Sequence, residues 1–400
     1  MKLRMKKSKT RKNSDISNRV RNINYSSVRK SFATGRSKGL INATIGQPDF
    51  DVPSDVREQA KLHIDSGHNK YTETKGILSL RQAISEYLGY RKINRNADEI
   101  IVTSGTTSAI FMIMFSLINQ GDEVIIFEPY FVAYPEIVNM VGGKSIFLKT
   151  DKNFQPNIGF LQKAITKKTK LIILNSPNNP TGAVYPESLI KEVIKIAKKT
   201  GVYILSDEIY NSFVYDVPHY SPAEIYNKTI IVDGLSKSKG MTGWRIGFVA
   251  GPKNIIDAVE KVQQFTSVCA PAPFQYAAIS AFNEPLSLEI LKRYKKRRDI
   301  LFEGIKNNYF IVKPQGAFYM FIKTPVPIDI FIKLLLRKGL AVVPGKAFGH
   351  YKNFVRISYA VSDKEIIKIV AILKKIAQEI KNDATPEGVV SVNLLDTTRK

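Results

Sequence analysis

Two periodicities organise the chain. From about Glu99 to Val249, short runs of aliphatic and β-branched residues alternate with longer stretches that are apolar on one side only. EIIVT, DEVIIFE, KLIILN, VYILSD and TIIVDG are apolar at consecutive positions, the pattern of strands buried on both faces. Between them, SLIKEVIKIAKK places its apolar residues at helical spacing, in a helix that opens at Pro186 and stops at Gly201. Strands separated by helices predict an α/β fold with a mainly parallel sheet covered by helices and ligand-binding turns at the strand ends.

Outside this region the pattern changes. LINATIG is the first strand-like run, GQPDFDVP (Gly46 to Pro53) is a turn-rich loop, and Pro53 to Gly67 reads as a helix. YTETKGILSLRQAISEYL begins with Tyr71 in a turn and continues as an amphipathic helix. Beyond Val249 the chain is mostly helical, through VEKVQQFTSVCAPAPFQYAAISAF and a long helix including Arg298. KPQGAFYMFIK, LAVVPGKAFG and NFVRISYA then predict strands of a smaller C-terminal unit. No internal repeat is evident.

Composition narrows the class. The 400 residues, 44% hydrophobic, suit two domains or one large α/β body with a buried core. The net charge of +25 matters for where it sits: residues 1–40 hold thirteen Lys/Arg against one Asp, about half of the excess. Most of these form MKLRMKKSKTRKNS, without the apolar centre of a signal peptide or the period of a helix, which reads as a disordered basic arm. Nucleic-acid binding by the arm is the reading outside the enzyme class, and no aromatic interleaving or recognised module supports it. Cys269 is the only cysteine, so no intrachain disulfide forms. No apolar run reaches the roughly twenty residues that span a bilayer, and the expected address is the cytoplasm.

The candidate chemistry centres on DGLSKSKGMTGWRIGF, Asp233 to Phe248. Lys237 follows a buried strand, and Arg245 lies eight residues on, across a loop with Gly240 and Gly243. An amine that can condense with an aldehyde, an arginine fork for a phosphate and glycines that admit close approach suit pyridoxal phosphate, although a solvated loop accounts for this stretch taken alone. Other segments are equally two-sided. Gly105, Thr106 and Thr107 open a helix and either bind an anion or simply cap it. Phe131 is either core or a stacking platform. Asn179 to Gly182 can be only a turn, Asp207 only a helix cap, and Arg356 only a charge on a solvent-facing strand edge. His63, His68, His219 and His350 show no metal-ligand spacing and read as structural or surface residues.

Taken in order, from about Tyr25 to Ile380, these segments resemble the class I/II aminotransferases, fold type I of the pyridoxal-phosphate enzymes. SKSKGMTGWRIG is similar to that family's lysine segment, NSPNNPTG to its N-x-P-x-N-P-T-G sequence, and VRISYA to its R-[IL]-S strand. The resemblance implies a seven-stranded, mainly parallel sheet in a large domain, here 53–283, with a small domain from 25–52 and 284–381, leaving the arm 1–24 and the tail 382–400 outside. It implies that Lys237 forms the Schiff base, with Asp207 on the pyridinium nitrogen and Asn179 and Tyr210 on the phenolic oxygen. Phe131, with Tyr134 nearby, would stack on the ring. Gly105, Thr106, Thr107, Ser236 and Arg245 would surround the phosphate, joined by Tyr71 from the neighbouring subunit of a homodimer with shared active sites. Gly46, Asn179 and Arg356 would contact the substrate, Arg356 gripping the α-carboxylate.

The implied reaction moves an amino group from an L-amino acid to a 2-oxo acid such as 2-oxoglutarate, with aspartate or an aromatic amino acid the first choice of donor. Alanine aminotransferase and C–S β-lyase chemistry are the alternatives. Lys239 stands where the family usually has an aromatic residue, which leaves packing near the phosphate open. Thr107 stands where one aspartate subgroup has a lysine for the side-chain carboxylate, and Lys346 is a candidate substitute for that lysine.

Overall fold

The computed structural model describes residues 16–21 and 23–382; the start of the basic arm and the tail from 383 lie outside the described residues. After β1 (Ile41–Asn42), seven strands form one sheet: β2 (Ile100–Thr103), β3 (Glu123–Glu128), β4 (Lys144–Lys149), β5 (Thr169–Asn175), β6 (Tyr203–Asp207), β7 (Thr229–Gly234) and β8 (Gly247–Ala250). Their order is β2-β8-β7-β6-β5-β3-β4, and β8 alone runs against its neighbours. The consecutive apolar residues of β2, β3, β7 and β8 are all buried, as helices on both faces require.

The helix after β5 shows how the sequence sets its boundaries. Pro186, which cannot donate a backbone hydrogen bond, precedes Glu187–Thr200, and Gly201 ends it at φ 72°, a left-handed conformation that glycine adopts without strain. Its buried stripe of Ile190, Val193, Ile194 and Ala197 faces the sheet; each larger aliphatic side chain removed from water contributes about 1.5–3 kcal/mol.

A second sheet lies beside the first. β9 (Tyr319–Lys323), β11 (Val343–Pro344) and β12 (Phe354–Ser358) form it, in the antiparallel order β11-β12-β9, while β10 (Leu340–Ala341) pairs with β1 in a separate two-stranded sheet. Helices Leu288–Ile305 and Asp363–Asn382 pack on its core, which also takes in Ile209, Tyr210 and Phe213 from the loop after β6. The seam between the two sheets therefore runs past the C-terminal ends of β5, β6 and β7.

Two expectations need correction. LINATIG yields only two strand residues, because the Asn42 side chain accepts from the backbone and hydroxyl of Thr44 and turns the chain. LAVVPGKAFG is not one strand; Val342 separates β10 from β11, and Gly345–Phe348 closes into a 3-10 turn after Pro344. VEKVQQFTSVCAPAPFQYAAISAF is mostly helical as expected, in two helices, Lys253–Gln264 and Ala272–Asn283, parted by Val268 at φ 61° and Pro271. No helix among the described residues is long and apolar enough to cross a membrane.

Candidate active site at the C-terminal strand ends

The site grows out of β7. A Cβ on Gly234 would stand 2.7 Å from the Cα of Gly247, so only glycine lets β7 lie this close to β8 before the chain turns into Leu235–Ser238. That turn presents Lys237, with Ser236 buried beside it. The Lys237 amine donates to the Gly46 carbonyl and lies 5.7 Å from the centre of the Tyr210 ring. Burial, with the guanidinium groups of Arg356 and Arg245, brings the amine down to about 8, against the pull of Asp207. An amine that loses its proton this easily is a usable nucleophile near neutral pH.

Asp207 ends β6 and is 4% exposed. Its Oδ2 accepts from the Tyr134 hydroxyl at 2.6 Å and its Oδ1 from the Ile209 amide at 3.3 Å. Among the described residues no basic side chain pairs with it. Burial pushes the carboxyl up to about 6, despite the Tyr134 hydrogen bond, and a cationic nitrogen placed against it would favour the carboxylate. Beside it, in register on β5, Asn175 donates from its side chain to the Asp207 carbonyl at 3.2 Å.

Arg356 is not at an exposed strand edge, the alternative to the carboxylate-binding role expected of it. Its strand, β12, is the middle one of its sheet, and the residue is 2% exposed. The guanidinium donates from Nη1 to Asn179 Oδ1 and from Nη2 to the Thr44 carbonyl, both at 2.8 Å. Nε has no partner, and no acid pairs with the group among the described residues. The rings of Tyr319 and Phe348 lie 4.3 and 5.0 Å from it. Burial lowers its proton affinity, as expected for a cation held out of water without a counterion. The Tyr210 and Tyr319 hydroxyls are 2.7 Å apart.

Opposite lies a cradle. Gly105, at φ 82°, precedes helix Thr106–Leu117, which has no side-chain cap. A Cβ on Gly105 would fall 2.3 Å from an Arg245 Nη2, and one on Gly247 would meet the Thr106 nitrogen at 3.0 Å. Arg245 donates to the Thr242 and Ser104 carbonyls at 3.0 and 3.3 Å and has no acid partner among the described residues. An uncapped helix N-terminus and an uncompensated guanidinium across a glycine-lined gap are groups suited to an anion. Thr106 is half-buried at its rim and Thr107 exposed.

The remaining expected residues divide. Phe131 is half-buried and meets Tyr134 edge-on at 5.5 Å. Gly46 adjoins the Tyr319 hydroxyl, which a Cβ there would meet at 2.9 Å. Tyr71 stands apart; it is 83% exposed in a hollow with His68 and Tyr276, and none of the contacts above involves it. Lys239 is buried and donates to the Pro285 carbonyl at 3.4 Å, so it joins the packing under the turn rather than the Arg245 cradle. Lys346 is exposed on the Gly345–Phe348 turn.

Sequence reasoning missed the Tyr134 bond to Asp207, the whole of Tyr319, and a buried charge cluster beneath the strand ends. There Arg91 pairs with Glu208 and lies 3.4 Å from Asp233, while Tyr87 and Asn211 donate to Asp233. Burial opposes ionisation of Glu208, yet Arg91 and the Ser221 and Ser206 hydroxyls outweigh it and keep this carboxyl below its usual range; burial raises Asp233 to about 7. His219 donates to the Ser176 carbonyl at 2.9 Å and is held down to about 4 by burial. The cluster joins segments far apart in the chain, since Arg91 lies 117 residues from Glu208 and 142 from Asp233. The one available hint was the charged residue at the end of two buried strands.

A mainly parallel α/β sheet whose strand ends gather a depressed lysine, a buried carboxylate and an anion cradle defines the fold-type-I pyridoxal-phosphate enzymes. Residues 38–373 match the model of aminotransferase class I and II, and the chain belongs to that family of transaminases. It is 38% identical to a probable aspartate aminotransferase of Methanocaldococcus jannaschii, over 90% of this chain and 99% of the relative. It is 35% identical to aromatic-amino-acid aminotransferase 2 of Thermococcus litoralis, over 92% of this chain and 99% of that one. The structure of Thermus thermophilus aspartate aminotransferase with maleate superposes with a TM-score of 0.86 at 35% identity, covering 91% of this chain and 99% of that chain. The family depends on pyridoxal phosphate. The residues present fit that group, with an amine for its aldehyde, a carboxyl without a cation for its ring nitrogen, and a glycine-lined guanidinium for its phosphate.

Proposed function

We propose that this transaminase takes the amino group of an L-amino acid, with aspartate or an aromatic amino acid the first choice of donor, and passes it to a 2-oxo acid such as 2-oxoglutarate, in the cytoplasm. The observation that carries the reading is Arg356, a buried guanidinium without an acid, whose charge already lowers the Lys237 amine. A carboxylate is the ligand that this geometry and charge call for. The names of the relatives from Methanocaldococcus jannaschii and Thermococcus litoralis support acidic and aromatic donors.

Pyridoxal phosphate, when bound, supplies the electron sink that lets the amino group be stored and handed on. Asp207 keeps the ring nitrogen protonated, with Tyr134 fixing the carboxylate. Asn179 and Tyr210 direct donors at the ring oxygen, Phe131 covers the ring, and Gly105, Thr106, Thr107, Ser236 and Arg245 hold the phosphate. Lys237 carries the proton to and from the substrate carbon. Gly46, Asn179 and Arg356 orient the substrate carboxylate, and Lys346 is the cation we assign to a second one. We further propose a homodimer in which Tyr71 reaches the partner's phosphate site; the exposure of Tyr71, Phe265 at 89% and Phe115 at 54% supports a covered face.

The test is a half-reaction. Loaded protein is mixed separately with aspartate, glutamate, phenylalanine and alanine, and the visible absorbance of the lysine-bound cofactor is followed. Aspartate or phenylalanine is expected to bleach it fastest. Alanine bleaching it fastest would overturn the donor assignment, and release of pyruvate without formation of the amine form of the cofactor would make the enzyme a lyase.

A further inference from the structure

Tyr319 touches more of this site than its position in the chain suggests. It opens β9, is fully buried, and lies diagonally across from Arg356, whose register partner is Phe321. Its ring carries the Arg356 guanidinium at 4.3 Å on the same face of the sheet. Its hydroxyl is 2.7 Å from that of Tyr210 and stands where a side chain on residue 46 would have to go.

The hydroxyl pair has a direction. Of two bonded hydroxyls, only one donates to the other. The Tyr210 ring faces the Lys237 amine, whereas the Tyr319 hydroxyl is enclosed and has Tyr210 as its hydrogen-bond partner. If Tyr210 donated to Tyr319, the buried Tyr319 proton would have no acceptor among these groups, a costly arrangement. With Tyr319 as donor, the Tyr210 proton is left to point into the site.

We propose that Tyr319 is a positioning residue that serves both ends of the reaction: its ring holds the guanidinium of Arg356 in the plane that meets a carboxylate, and its hydroxyl turns the Tyr210 proton toward the ring oxygen of the cofactor. This rests on the reading of Arg356 and Tyr210 given above. One side chain thereby links the grip on the substrate to the group that tunes the cofactor. The two functions separate chemically, since phenylalanine keeps the π face and lacks the hydroxyl, and methionine fills the space with neither.

Two measurements on the loaded protein test this. The first is the pH midpoint of its visible absorption in the absence of substrate. A donor to an oxyanion favours the ionised form, so weakening Tyr210 as a donor raises the midpoint. The second is the affinity for succinate, an unreactive dicarboxylate, by calorimetry. Tyr319→Phe is expected to raise the midpoint by about half a unit to one unit and to change succinate affinity less than about threefold. Tyr319→Met is expected to raise the midpoint likewise and to weaken succinate about tenfold, the scale of a desolvated cation–π contact. An unmoved midpoint in Tyr319→Phe, or unchanged succinate affinity in Tyr319→Met, would overturn the proposal. Arg356→Lys in the same calorimetry separates the two levels. If it leaves succinate binding intact, the carboxylate reading of Arg356 fails and takes the proposal with it; if it weakens binding while the Tyr319 variants do not, the proposal alone fails.

Discussion

Arg356 donates to Asn179 Oδ1 at 2.8 Å, and the Asn179 amide nitrogen in turn donates to Asn175 Oδ1 at 2.9 Å. Because Asn175 is the register partner of Asp207 and donates to its backbone carbonyl, the guanidinium on the small sheet is tied through two asparagines to the backbone of the residue that carries the carboxylate on the large one. The arrangement also orients Asn179: with Oδ1 taken by Arg356, its side-chain NH2 is the end left for another acceptor.

Breaking this link has a predictable cost. Asn179→Ala removes a partner of a buried cation, and hydrogen bonds to charged groups are worth about 1.5–3 kcal/mol. The expected fall in kcat/KM is about 10- to 100-fold, with KM for both amino and 2-oxo acids raised. Arg356→Leu removes the charge itself and should cost more, about 100-fold or above, through KM for every carboxylate substrate. Steady-state kinetics within twofold of wild type for either variant would contradict the assignment.

Lys237 gives a pH prediction. Burial and two guanidinium groups lower its amine to about 8, and a lowered amine is neutral, hence nucleophilic, from a lower pH upward. Capture of pyridoxal phosphate by cofactor-free protein should therefore rise through a midpoint near pH 8, read as growth of visible absorbance in a stopped-flow pH series. A midpoint near that of an ordinary lysine would show that the burial has no such effect. Lys237→Ala should abolish both capture and turnover.

How much of this was legible in the sequence depends on whether the information is local. Strands β5, β6 and β7 could be read because burial on both faces makes each a continuous apolar run, and Lys237, Asp207 and Asn179 because each sits just past such a run. For Arg356 the residues alone left an edge charge and a carboxylate-binding role both open, and only the family resemblance favoured the second, since a period-two pattern cannot tell a central strand from an edge. Tyr319, Tyr134 and the Arg91 cluster depend on contacts 73 to 146 residues apart in sequence, and no window along the chain contains both partners. The two-residue β1 failed for a different reason: hydrogen bonds donated by Thr44 to the Asn42 side chain outcompeted the strand ladder.

Tyr134→Phe isolates the support of Asp207. The 2.6 Å bond favours the carboxylate, so its loss should move the Asp207 carboxyl further upward. With the ring nitrogen less firmly held in its protonated state, kcat should fall about tenfold while KM changes little, since no substrate contact is lost. Equal losses in kcat and kcat/KM for Asp207→Asn, larger than those of Tyr134→Phe, would place the two on one path; a Tyr134→Phe effect confined to KM would not.

His219 links the buried charge cluster to acid stability. Its folded value near 4 lies below the ordinary 6.5, so between these limits the unfolded chain binds more protons than the folded one. Stability from this residue is then fully present above about pH 6.5 and is lost as pH falls toward 4. Asp233, near 7, and Asp207, near 6, are carboxyls raised by burial and act with the opposite sign over part of the same range, so the wild-type curve alone does not isolate the histidine. The difference between wild type and His219→Asn does. From pH 8 to pH 5 the wild type should lose about 2 kcal/mol relative to the variant, at about 1.4 kcal/mol per unit of pH below 6.5. Urea unfolding of both proteins at the two pH values measures it. A difference that stays constant would mean that the imidazole takes up its proton without leaving the folded state, with Glu208 close enough to stabilise the charge.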